Sequence, residues 1–95
     1  MPPVDGIHVT PRAAEVLRRG LETARLDPAL AGIRVWLAGG AARTAFADEP
    51  EPGDTTVEAG GIRVYVAASV TAGGPAAIDV SAEHDTIVVV PLDDD

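Results

Sequence analysis

Chemistry in a protein chain needs groups that can attack, transfer a proton or hold a metal, and few here are spaced to do so. The 95 residues contain no cysteine, which excludes disulfides, thiolate nucleophiles, cysteine zinc sites and cysteine-held clusters within the chain. A hydroxyl nucleophile requires a base in reach. The hydroxyls include Thr44, Ser69 and Ser81, the histidines are His8 and His84, and no spacing pairs them, so an enzyme is not expected. His8 alternates with Ile7 and Val9 and should point outward. His84 stands in Glu83-His84-Asp85, a polar hinge that reads as solvated rather than as a ligand set. The carboxylates of "DEPEPGD" (48–54) lack regular calcium-loop spacing, and those of Asp93 to Asp95 repel one another; both read as solvated acid. No metal and no cofactor is expected.

The remaining candidate is "LAGGAARTAF", residues 37–46. Paired glycines at the end of an apolar strand usually bring backbone close to something. Ala41 and Ala42, however, offer it no chemistry. A phosphate cradle would need the glycines to open a helix beside a basic or hydroxyl anchor. Arg43 and Thr44 offer a weak version of that anchor, but the residues after the glycines continue in strand pattern. Gly39, Gly40, Ala41 and Arg43 are the candidate binding residues.

The elements that must carry this loop can be read from periodicity. Ile7 to Val9 is a strand, and Thr10-Pro11 starts a helix with an N-cap hydroxyl and a proline whose missing N–H is not needed. Ala14, Leu17, Leu21 and Ala24 share one helical face, Glu15 and Arg19 pair at i, i+4, and Asp27-Pro28 ends the helix. Ile33, Val35 and Leu37 alternate with Arg34, Trp36 and Ala38 as a strand with one face inward. A short strand over 42–47, a hairpin pairing 55–58 with 62–66 around Ala59-Gly60-Gly61, and strands over 77–81 and 86–90 follow. "AASVTAGG" (67–74) is too short for more than a single helical turn. Trp36 and Tyr65 lie either on an outer face as an aromatic patch or in the core.

The whole is a single domain over 1–95, core about 7–91, in the α+β class and mostly β: about seven short strands and one N-terminal helix. Alternating βαβ units are not evident. At 46% hydrophobic residues the chain is too apolar for disorder. Fifteen acids against seven arginines, a formal charge of -8, oppose binding to nucleic acid and to anionic membranes. No stretch approaches the ~18 apolar residues of a membrane span, and a cytoplasmic location is the default expectation.

In order and spacing, these signals resemble the HesB/IscA-type iron–sulfur carriers, also called A-type carriers. The resemblance runs from Ile7 to Pro91 and rests on "VTPRAAEVLR" (9–18), "GIRVWLAGG" (32–40), "DEPEPGD" (48–54), "GIRVYV" (61–66) and "AIDV" (77–80). It implies a compact, mainly β fold, a small twisted sandwich or barrel-like domain with a helix packed on it. It also implies assembly as dimers or tetramers, and a role in holding a cluster and passing it to apo-proteins. The family's ligands are three cysteines, one in a G-G-C-S-G-type loop and two in a C-G-C-type tail. Ala41 stands at the loop position, Ala42 and Arg43 replace the following Ser and Gly, and the sequence reads "VVVPLDDD" before the tail would begin. The expectation is a degenerate, cysteine-free interaction or regulatory module related to cluster assembly, with assembly proteins or a second copy as partner. The alternative is a binder of small anions or hard metals through the Gly39–Arg43 loop and the His84 region.

Overall fold

A computed structural model describes residues 6–27, 29–72, 74–81, 83 and 86–91. Strand β1 (Ile7–Val9) leads into helix α1 (Pro11–Thr23), followed by β2 (Gly32–Ala38), β3 (Ala41–Ala47), β4 (Thr55–Ala59), β5 (Ile62–Val66), the single turn α2 (Ala68–Thr71), β6 (Ala76–Val80) and β7 (Ile87–Pro91). The α+β, mostly β class expected from the sequence is the observed one, with α2 added to the N-terminal helix. Strand ends shift by one residue at most places, as pairing partners rather than composition decide where a ladder stops.

The helix starts as its sequence dictates. Thr10 is extended, its Oγ1 accepts a hydrogen bond from the Ala13 amide at 3.2 Å, and Pro11 occupies the first turn. The same hydroxyl donates to Asp79 Oδ1 at 2.8 Å and the Thr10 amide donates to the Ile78 carbonyl at 3.0 Å, so the cap also ties the helix entrance to β6. At the other end the helix stops before Asp27. Ala24 caps it and Arg25 turns left-handed at φ 60°. The Arg25 amide donates to Glu22 and the Leu26 amide to Leu21, the paired closure that normally recruits glycine. Ala24 consequently leaves the buried face, which is Ala13, Ala14, Leu17 and Leu21.

Two sheets form, β1-β6-β7 and β3-β2-β5-β4. β1 runs parallel to β6 and β2 parallel to β5, while β2–β3, β4–β5 and β6–β7 are antiparallel. One core joins the layers: Leu17 and Leu21 of α1, Ile33 and Val35 of β2, Ile62, Val64 and Val66 of β5, and Ile78 and Val80 of β6. Alternation makes this possible, because residues of β2 and β5 two apart share the inward face. Gly32 is buried at the start of β2 for a different reason. A Cβ there would stand 2.6 Å from the Arg63 carbonyl oxygen and 3.0 Å from the Tyr65 ring.

Two stability outcomes follow for denaturant unfolding. Gly32→Ala forces backbone apart and should lose about 1–3 kcal/mol, whereas Arg25→Gly relieves a left-handed residue with a side chain and should gain about 1 kcal/mol. A neutral Gly32→Ala would show that β2 and β5 are not held at this approach.

Candidate functional site

The glycine pair is a hairpin turn. Gly39 and Gly40 have φ of 59° and 82°, the left-handed pair of a two-residue turn whose twist suits the flanking strands, and they join β2 to β3 with Ala38 opposite Ala41. A Cβ at either glycine would meet nothing within 4 Å. The expectation that they bring backbone close to a neighbour is therefore corrected: backbone conformation, not proximity, calls for glycine here. The chain leaves the turn as a strand, so no helix N-terminus converges on it.

Ala41 is exposed at the start of β3 and Arg43 is exposed two residues on. In the β2–β3 register Arg43 lies opposite Trp36, Ala45 opposite Arg34 and Ala47 opposite Gly32. These residues all share the outer face of the sheet, away from the core. Gly39, Gly40, Ala41 and Arg43 thus cluster at one end of the hairpin, as sequence proximity requires. His84 lies outside the described residues. Among the described residues no group of three or more His, Asp or Glu side chains could hold a metal ion, and the described acids of 48–54 are turned to another use.

That use centres on Arg34, which the sequence reading passed over. Its guanidinium grips Asp54 with both ends, Nε to Oδ2 at 2.9 Å and Nη2 to Oδ1 at 3.2 Å, and Glu51 lies 3.8 Å away. Asp54 also accepts the Glu51 amide at 3.0 Å. Its side chain is only 1% exposed. The bond to Arg34 is the main cause of an Asp54 carboxyl held below the usual carboxylate range, aided by the Glu51 amide and opposed by burial. Tyr65 completes the clamp by donating its hydroxyl to the Asp48 carbonyl at 3.3 Å. The acidic turn is thus strapped across the outer face.

This separates the two aromatic residues left open by the sequence. Tyr65 is buried at 1% exposure, although it points away from the main core, because the turn covers it. Trp36 is half-buried and carries the Arg34 guanidinium over its ring at 5.4 Å. An outward-facing arginine inside an apolar strand, with carboxylates 15–20 residues on, was the available signal for the clamp. On the opposite face of β3, Phe46 is 51% exposed beside a cavity of about 380 Å³ lined by Val16, Gly20, Thr44 and Ile87. No described helix is long and apolar enough to cross a membrane.

The fold has known counterparts. SufA of Escherichia coli, involved in biosynthesis of iron–sulfur clusters, superposes with a TM-score of 0.64 at 22% identity over 90% of this chain and 82% of that one. A protein from Aquifex aeolicus solved by NMR gives 0.66 at 20% identity over 90% and 91%. IscA with its [2Fe-2S] cluster gives 0.50 at 24% identity over 87% and 80%. No family sequence model matches the chain, and no curated protein matches it by sequence. The fold of this chain is that of the HesB/IscA-type proteins, as the order of its sequence signals led us to expect.

The clamp generates a pH dependence. A carboxyl whose folded pKa is depressed adds stability above its unfolded pKa of about 3.9, and that stability drains away as pH falls through the folded value. Asp54→Asn should lower the thermal midpoint at pH 7 and flatten its decline between pH 5 and pH 3 relative to wild type. Parallel acid limbs in the two proteins would mean that Asp54 contributes nothing to folding.

Proposed function

We propose that this chain is a non-catalytic HesB/IscA-like protein, an interaction or regulatory module related to iron–sulfur cluster assembly that does not itself hold a cluster. The observation that carries this reading is Ala41. The fold is shared with SufA and with cluster-bound IscA, yet the first hairpin residue after Gly39-Gly40, where the resemblance implies a ligand cysteine, has only a methyl group. Iron–sulfur clusters are held by thiolates and, less often, by imidazoles, and the 95 residues contain no thiol at all. Arg43 adds a fixed positive charge and a bulky side chain where the resemblance implies glycine. The shared fold supports the match of this hairpin to the ligand loop, and Ala41 has no ligand atom to offer there. What such a scaffold still offers is surface.

The second reading, a small-anion or hard-metal site, draws on Arg43 alone among the described residues and gains no converging donors from the hairpin.

Anaerobic incubation of the purified protein with ferrous iron and sulfide should give no absorbance above 400 nm after desalting and no retained iron. A chromophore with stoichiometric iron would overturn the reading. In parallel, affinity recovery from cell extract should return proteins of the assembly machinery in metal-free form.

A further inference from the structure

The outer face of the β2–β3 hairpin joins an aromatic ring, an unpaired cation and a row of small side chains. Trp36 sits between two arginines: Arg34 over its ring, Arg43 directly across the strand pair. Only one of these cations is neutralised. Arg34 is paired with Asp54 and Glu51, whereas Arg43 is exposed and makes no ion pair or hydrogen bond among the described residues. Around them Ala38, Ala41 and Ala45 project only methyl groups and are exposed. Ala41 and Ala45 flank Arg43 on this face of β3 and add no polar group beside it. Tryptophan and arginine are both among the residue types enriched where a few residues carry a protein interface.

We infer that this face docks an acidic segment of a partner protein, which places a carboxylate on Arg43 and an apolar side chain against Trp36. The inference rests on the reading of the chain as an interaction module and names the chemistry of its partner. Charge complementarity selects the occupant. A guanidinium presents a planar fork that matches a carboxylate with two parallel hydrogen bonds, and Arg43 is the cation on this face whose fork is still vacant. The net charge of -8 repels an acidic chain at long range. That field is screened beyond about 8 Å at physiological salt, and Glu51 and Asp54 are paired with Arg34. Arg43 therefore acts at contact distance. A basic segment would find no carboxylate on the hairpin end, and a purely apolar one would strand the guanidinium without a partner as it lost its water.

The test uses the full chain without iron and a fluorescein-labelled peptide with glutamates around a single leucine, read by fluorescence anisotropy. Binding should be saturable and should weaken about tenfold in Arg43→Ala. Arg43→Lys, which keeps the charge and loses the fork, should fall between the two. The same peptide with lysines for glutamates should not bind. Amide chemical-shift changes should centre on residues 34–45, and the unchanged remainder of the spectrum establishes that Arg43→Ala is folded. No binding, or equal binding by wild type and Arg43→Ala, overturns the inference. So does a sedimenting dimer that Arg43→Ala dissociates, because the face would then belong to a second copy. Cluster retention is read separately by iron and sulfide, so failure here leaves the cluster-free reading standing, and failure there leaves this result interpretable.

Discussion

The parallel pairing of β2 with β5, Ile33 beside Val64, Arg34 beside Tyr65 and Val35 beside Val66, is the constraint from which the rest of the molecule is arranged. It sets two faces at once. Inward, four branched aliphatic side chains meet Leu17 and Leu21 of the helix and make the centre of the core. Outward, it places Arg34 next to Tyr65, so that one turn, 48–54, can cover the ring and satisfy the guanidinium together. Gly32 is the price of that closeness, since any side chain there would meet the β5 backbone.

Because β2 is held on one edge by β5, its other edge is left to β3, and the hairpin inherits its position from that pairing. The Gly39–Gly40 turn fixes the register, and a slip of one residue would send Ala42, Thr44 and Phe46 outward and Arg43 toward the helix. Thus the end of the hairpin, where Ala41 and Arg43 stand, is a two-residue turn closed by the pairing of Ala38 with Ala41. The clamp commits Glu51 and Asp54 to Arg34, and among the described residues no carboxylate pairs with Arg43.

Much of this was legible in the sequence. Period-two alternation marked β2 and β5, Thr10-Pro11 marked the helix start, and Ala59-Gly60-Gly61 marked the reversal between β4 and β5. The likeness to HesB/IscA-type carriers, which rested on the order of those signals, agrees with the shared fold. Other features were misread or passed over for identifiable reasons. The end of α1 is set by a left-handed arginine, which no propensity favours, so the sequence signal pointed instead to Asp27-Pro28. The glycines of the hairpin were read for close approach, although a two-residue turn alone requires them. Tyr65 was left undecided because its burial comes from a turn 11–17 residues upstream, which composition alone describes as solvated.

The sequence by itself determined what this chain lacks and which way each strand residue faces: thiols are absent, and alternation and turn chemistry are local properties. Only the tertiary structure decided that Arg34 is spent on Asp54 while Arg43 is not. Both are arginines on the outer face of the same hairpin, equivalent in any one-dimensional reading. They differ because the 48–54 turn folds back across one of them, and that fold-back depends on β5 lying beside β2, a pairing between segments about thirty residues apart that no local pattern encodes.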